Sequence, residues 1–235
     1  MSKINYCPST NFNERIAEGT SPINIDMLII HYTGMLPENS ALDWLCNPQS
    51  KVSAHYLIDE KGNIYNLVPT LMRAWHAGVS SWRGATDINS RSIGIELVNP
   101  GHDFGYRDFS LKQVNSLIAL ANKILKQHPI PPRNVLGHSD ISPRRKIDPG
   151  ERFPWETLAE QGIGLWPHKQ KFSTAEMSKK EFIKMLNCYG YDTDNNSFND
   201  LVTAFQRHFR PERCDGIIDH ESQVRLENLI FSVAE

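Results

Sequence analysis

Residues 137–150, Gly-His-Ser-Asp-Ile-Ser-Pro-Arg-Arg-Lys-Ile-Asp-Pro-Gly, constrain this chain more than any other stretch. Pro143 and Pro149 remove backbone donors and fix φ, and a glycine closes the segment, so it reads as a loop rather than a helix or a central strand. The loop carries His138 and Asp148 ten residues apart, and a loop this charged needs a reason to be held still. Upstream, the apolar run Met27-Leu28-Ile29-Ile30 ends in His31-Tyr32. Two imidazoles and one carboxylate are what a catalytic zinc site takes from protein, leaving the fourth position for water. His31, His138 and Asp148 are the candidate metal ligands, Zn2+ the candidate cofactor, and the residues point to a zinc hydrolase.

A length of 235 residues suits one to two domains with an ordinary core. Charged residues at 22% and hydrophobic ones at 40% are normal for a globular protein. A net charge of −2 gives no electrostatic footprint for nucleic acid, and the apolar runs are too short to span a membrane. Residues Met1 to Pro8 have no apolar h-region, from which a cytoplasmic location is expected, with the periplasm as the alternative. Cys7, Cys46, Cys188 and Cys214 show no Cys-x-x-Cys spacing and are poor metal candidates. Cys188 and Cys214 share the C-terminal region and pair in an oxidising compartment, or stay as two half-buried thiols.

Met27 to Tyr32 suits a buried strand. Ser40, with Asp43 three residues on, opens a helix. Val52–Ile58 and Ile64–Val68 flank Asp59-Glu60-Lys61-Gly62-Asn63 as a hairpin. In Ile93 to Val98, alternation puts Glu96 on the face opposite Ile93, Ile95 and Leu97. The clearest helix runs from Leu111 to His128, with Ser110 and Gln113 as its capping box and one apolar stripe. Val135 to His138 re-enters the core. Strands interspersed with helices give an α/β fold with a single mixed β-sheet flanked by helices, over residues 1–167. A polar linker, 168–177, leads to three helical patterns in 178–235: Lys179–Tyr189 with Ser178 and Glu181 as capping box, a second carrying Phe198, Leu201, Val202, Phe205 and Phe209, and a third from Glu221 to Val233.

The blocks "IIHYTG", "SAHYLID", "WHAG", "SIGIELVN" and "GHSDISPRRKIDPG", in that order, resemble the type 2 N-acetylmuramoyl-L-alanine amidases over residues Asp26 to Trp166. The resemblance, in its cell-wall-recycling branch, implies zinc-dependent hydrolysis of the amide joining N-acetylmuramic or 1,6-anhydro-N-acetylmuramic acid to L-alanine, with peptidoglycan fragments or the sacculus as partners. It aligns His31, His138 and Asp148 with the family's ligands. The passage "AFQRHFRPERCDGIIDHES" resembles the small three-helix peptidoglycan-binding domain joined to cell-wall hydrolases.

Glu96 is the candidate base: an acid inside an apolar strand is costly to bury without a partner or a task, and the family's "IGIE" motif favours catalysis over an edge-strand residue in solvent. Lys146 leaves an extended loop on the same side as Asp148 and would stabilise charge growing on the carbonyl oxygen. The family's Lys-x-Asp-Pro match favours it over Arg144 and Arg145, which are expected at the surface. Related phage and animal amidases place a catalytic tyrosine where this chain has Ala54, which leaves the proton work to Glu96. His55, His76, Trp75, Arg73 and Arg83 are candidate substrate-binding residues, with Trp82 beside them; His55 is also a candidate to support the site from behind. His102, His128, His168, His208 and His220 are expected in solvent. Two other functions fit less well: a non-catalytic peptidoglycan-binding protein, against which all three ligands stand, and a zinc peptidase cutting within the stem peptide.

Overall fold

The computed structural model describes residues 4–16, 24–37, 40–167 and 177–234. Eight short strands and eight α-helices follow in order: β1 Ile4–Tyr6, β2 Phe12–Glu14, β3 Met27–Tyr32, α1 Ser40–Cys46, β4 Tyr56–Ile58, β5 Ile64–Asn66, β6 Met72–Ala74, α2 Ile88–Arg91, β7 Ser92–Leu97, α3 Leu111–Gln127, β8 Val135–Gly137, α4 His138–Ile141, α5 Trp155–Glu160, α6 Lys179–Tyr189, α7 Phe198–Phe209 and α8 His220–Ala234. Six strands form one mixed sheet in the order β1-β5-β4-β7-β3-β8, and β2 pairs with β6 beside it. The expected hairpin is present, with β4 antiparallel to β5. β4, β7, β3 and β8 run parallel. Parallel strands are covered on both faces, which is why β3 reads as continuous Met-Leu-Ile-Ile rather than as alternation.

The two faces sort by residue parity. Leu28, Ile30, Ile93, Ile95 and Leu97 meet Val114, Leu117, Ala121 and Ile124 of α3. Ser110 caps that helix as expected, its hydroxyl accepting from Gln113 N at 3.2 Å. The Gln113 side chain does not complete the capping box: its Nε2 donates to the Ile58 and Val98 carbonyls at 3.0 and 3.1 Å, because a buried amide so close to the sheet finds two strand carbonyls there. Similarly, Ser40 Oγ donates to the Pro37 carbonyl at 2.6 Å.

Met27, Ile29 and Leu136, on the opposite face, share one core with Trp82 and Ile88, with Phe182, Leu186, Tyr189, Leu201 and Phe205 of the C-terminal helices, and with Tyr191 between α6 and α7. Those helices therefore cover a face of the sheet rather than forming a free-standing bundle. Ser178–Glu181 and Ser197–Asp200 cap α6 and α7 with reciprocal hydrogen bonds. The expected linker lies almost wholly in 168–176, outside the described residues. Among the described residues, no helix is long and apolar enough to cross a membrane.

Candidate active site

Three parallel strands deliver the site at their C-terminal ends, the usual place for a site in a sheet of this kind. β3 ends on His31-Tyr32; β7 pairs with it in register, placing Glu96 opposite His31; β8 ends at Gly137, and His138 opens α4. The loop after α4 turns back, tied by Ser139 N donating to the Asp148 carbonyl at 2.9 Å. His31, His138 and Asp148 are 1%, 3% and 7% exposed, so two β-strand ends and one returning loop bury all three.

Their donor atoms form a tight triangle. His31 Nδ1 lies 3.0 Å from His138 Nδ1 and 3.0 Å from Asp148 Oδ2, and His138 Nδ1 lies 3.1 Å from the same oxygen. The surrounding hydrogen bonds fix the tautomers. Ser92 Oγ spends its hydrogen on the Ile88 carbonyl at 2.7 Å and so accepts from His76 Nε2 at 3.1 Å. His76 Nδ1 is then a lone pair that accepts from His31 Nε2 at 3.0 Å, while His138 Nε2 donates to the Ala77 carbonyl at 3.0 Å. Both Nδ1 atoms are left as lone pairs facing each other and a carboxylate oxygen. Three acceptors at these spacings repel unless a cation lies among them, and their edges approach the roughly 3.3 Å expected between ligands of a tetrahedral ion with bonds of about 2 Å. The set fits a metal ion.

The electrostatics agree. Burial first, and the neighbouring His138 next, push His31 down to about 4, so it is neutral and ligand-ready at pH 7. Burial opposes ionisation of Asp148, but positive charge on its His138 and His31 side, which a cation among the three would supply once both rings are neutral, holds it well below the usual carboxylate range. His76 is likewise held well below its ordinary value, by burial and then by His31. Its ring lies against β7 only because residue 94 is glycine: a Cβ there would stand 2.5 Å from the His76 ring.

A cleft of about 660 Å³ opens over the triangle and is lined by Tyr32, Trp44, Leu45, Val52, Trp75, His76, Glu96, His138, Arg145, Lys146 and Asp148 among others. Glu96 is half-buried at its floor, and its Oε2 has no hydrogen-bond partner among the described residues. Burial, and then the Asp148 charge, push its carboxyl up to about 8, with Lys146 pulling the other way. Lys146 is half-exposed in the cleft wall. Arg145 also reaches the cleft, its Nη2 donating to the Ala77 and Val79 carbonyls at 3.0 and 2.8 Å. Trp75 lines the cleft with its Nε1 donating to Asn13 Oδ1 at 2.6 Å.

Four of the expected substrate contacts lie elsewhere. His55 is fully buried and turned away from the cleft: Nδ1 accepts from Gly94 N at 3.0 Å, and Nε2 meets the Met72 carbonyl and the Arg15 guanidinium, each at 3.0 Å. It has no atom free for a ligand and instead supports β7 from behind. Arg73 is ion-paired with Asp87 at 2.8 Å. Arg83 is exposed beside the C-terminal helices, its amide donating to the Gly190 carbonyl at 2.8 Å. Trp82 is fully buried, edge-on to Tyr189 and Tyr191. His208 corrects the expectation that it is solvated: it is 2% exposed and hydrogen-bonded to Asp140. His102 and His220 are exposed and His128 half-exposed, and His168 lies outside the described residues. The roles of Arg15, Ser92 and Asp140 have no local signal in the sequence, where a buried arginine, a strand serine and a helix aspartate look like any other.

Residues 20–151 match the N-acetylmuramoyl-L-alanine amidase (Amidase_2) family. The chain is 39% identical over 240 residues to the N-acetylmuramoyl-L-alanine amidase AmiD of Escherichia coli, with 92% of this chain and 86% of that protein covered. It is 39% identical over 166 residues to the 1,6-anhydro-N-acetylmuramyl-L-alanine amidase AmpD of Haemophilus influenzae, covering 63% and 86%. Among solved structures, E. coli AmiD in complex with the substrate anhydro-N-acetylmuramic acid-L-Ala-D-gamma-Glu-L-Lys superposes with a TM-score of 0.81 at 36% identity, covering 95% of this chain and 98% of that one. AMPDH3 of Pseudomonas aeruginosa in complex with anhydromuramic pentapeptide gives 0.83 at 34% identity, covering 92% and 96%. With a matching catalytic segment, a full-length likeness in sequence and the same fold, the chain belongs to the N-acetylmuramoyl-L-alanine amidase family.

Proposed function

We propose that this chain uses zinc, held by His31, His138 and Asp148, to hydrolyse the amide between the lactyl group of N-acetylmuramic or 1,6-anhydro-N-acetylmuramic acid and L-alanine. The observation that carries the reading is the triangle of three buried acceptors beside the Glu96 carboxylate, whose Oε2 has no hydrogen-bond partner among the described residues, in an open cleft. Zinc, when bound, is a Lewis acid that lowers the pKa of water to about 7 and polarises a carbonyl. Glu96, in the lining of the cleft, takes the proton of the attacking water and returns it to the amine nitrogen of the departing L-alanine. A divalent cation held by the triangle would oppose the burial that lifts the Glu96 carboxyl and favour its ionised form. Lys146 presents an ammonium to the oxygen of the scissile carbonyl as negative charge grows there. Trp75 and Trp44 offer flat apolar surface to a sugar ring. The likenesses to AmiD and to AMPDH3, each solved with an anhydromuramyl peptide, support soluble muropeptides as substrates, with intact sacculus as the second candidate.

The test is mass spectrometry of anhydro-muropeptide and of sacculi after incubation with the protein, with and without chelator. Chelator-sensitive release of an intact stem peptide beginning at L-alanine is expected, restored by added zinc. Fragments cut inside the stem peptide would turn the case to a peptidase, and binding without any cleavage would turn it to a recognition protein.

A further inference from the structure

Two cysteines far apart in sequence meet beside the cleft. Cys7 Sγ and Cys46 Sγ are 3.5 Å apart, and Cys46 Sγ is also within 3.2 Å of the Cys7 carbonyl, to which it donates. Cys7 directly follows β1, its amide donating to the Asn66 carbonyl at 3.1 Å, and Cys46 is the last residue of α1. Both half-buried side chains pack with Leu42 and Tyr65 against Leu45, Leu57 and Leu67. The backbone on each side is therefore already anchored by the sheet and by the helix.

This contact belongs to a larger seam. Ser9 Oγ donates to the Leu45 carbonyl at 2.6 Å, Asn11 Nδ2 donates to the Asn47 and Val52 carbonyls at 2.8 and 2.9 Å, and Ser53 Oγ donates to the Asn11 carbonyl at 2.6 Å. Residues 7–11 thus underlie α1 and the turn after it, the two pieces that carry Trp44, Leu45, Val52 and Ser53 to the cleft.

We propose that Cys7 and Cys46 are a disulfide-forming dithiol that staples the N-terminal strand to α1 beneath the cleft wall. A disulfide needs its sulfurs about 2.05 Å apart, so they must close by about 1.5 Å, a movement within reach of side-chain torsions. The oxidant is an external small-molecule disulfide. One cysteine thiolate attacks it, forming a mixed disulfide and releasing one thiol. The second cysteine then gives up its proton to solvent, attacks the protein sulfur of the mixed disulfide and releases the second thiol. In sum, two protein thiols are oxidised to one Sγ–Sγ bond and one external disulfide is reduced to two thiols. Burial and the adjacent Cys7 push the Cys46 thiol up to about 12, so Cys46 itself is protonated and a slow nucleophile at neutral pH. The other two cysteines are placed differently: Cys188 is exposed on α6, and Cys214 Sγ faces the Arg210 and Pro211 carbonyls at 3.9 and 3.7 Å. Closing a loop of about 39 residues constrains the unfolded chain and stabilises the folded one.

The experiment is peptide mapping by mass spectrometry, without reduction, of the full chain after equilibration with oxidised and reduced glutathione at an oxidising ratio, alongside its melting temperature. A Cys7–Cys46 crosslinked peptide is expected, with the oxidised protein melting roughly 5 °C or more above the reduced one and the rise reversed by dithiothreitol. C7S and C46S, each retaining a hydrogen-bonding side chain at the contact, should fold and lose both crosslink and shift. Cys7 and Cys46 left free or carrying only glutathione, a crosslink to Cys188 or Cys214, or a crosslink without stabilisation would each overturn the proposal. None of these readouts depends on the amidase reaction or on zinc.

Discussion

His208 Nδ1 donates to Asp140 Oδ2 at 2.7 Å, with the imidazole stacked between Trp155 and Phe209 at 3.8 Å from each ring. Asp140 lies on the single turn opened by His138, and it also accepts from Gly137 N at 2.7 Å and from Tyr191 Oη at 2.6 Å. One buried carboxylate thus joins the metal-site turn to two points of the C-terminal helical region. Asp140→Asn replaces an acceptor with an amide whose NH2 faces donors. It is expected to cost about 3 kcal/mol, because buried hydrogen bonds to a charge are the strong ones and a severed network leaves donors unpaired. Tyr191→Phe leaves the other two donors in place and should cost about 1–2 kcal/mol. Urea denaturation measures both. A competition titration with a chromophoric chelator should show weaker zinc binding in D140N only.

Glu96→Gln keeps the side-chain volume and removes the carboxylate proposed as the base. Activity on anhydro-muropeptide is expected to fall about a thousandfold, with zinc content unchanged. Because the native carboxyl is half-buried with Oε2 unpartnered, the metal-free variant should melt no lower than the metal-free parent, and about 1 kcal/mol of added stability is reasonable. Near-parental turnover in E96Q would remove Glu96 from the mechanism.

His76 is placed to act on the candidate metal site through His31. Its Nδ1 accepts the His31 Nε2 hydrogen, so His76→Ala frees the ring that presents one of three ligand atoms. Zinc affinity should drop about 10- to 100-fold, and activity should return at raised zinc concentration. Unchanged affinity by chelator competition would show that β3 alone orients His31.

Asp219 sets an acid limit on the C-terminal helices. Burial works against its charge, but Arg210 Nη2 at 2.6 Å and Ser222 Oγ and N at 2.7 and 2.8 Å hold it well below the usual carboxylate value. A carboxylate depressed in the folded state stabilises fully above its unfolded value of about 4 and loses that contribution as pH falls below it. Between pH 5 and 2, then, Asp219→Asn should flatten the fall in stability while lowering stability by about 1–3 kcal/mol at pH 7. Denaturation midpoints across that pH range measure both effects; parallel curves for D219N and the parent would rule the residue out as a source of acid lability.

What the sequence determined by itself is whatever local spacing encodes. The apolar run Met27–Ile30, the alternation that places Glu96 opposite Ile93 and Ile95, the stripe of α3 and the caps of α6 each depend on neighbours within a few residues, so periods of 2 and 3.6 expose them. The family resemblance groups His31, His138 and Asp148, and the fold brings their donor atoms to 3.0–3.1 Å of one another. Tertiary structure alone decided the rest. β1 and β2 have no telling pattern of their own and become strands by pairing with β5 and β6. His55 is a buried support rather than a substrate contact, and His208 is buried rather than solvated, because their hydrogen-bond partners come from residues 39 and 68 positions away. The sulfur–sulfur contact lies between Cys7 and Cys46, 39 positions apart, for the same reason. A chain's local pattern states which face of an element is apolar; which distant side chain waits on the other side of that face is set only when the sheet closes.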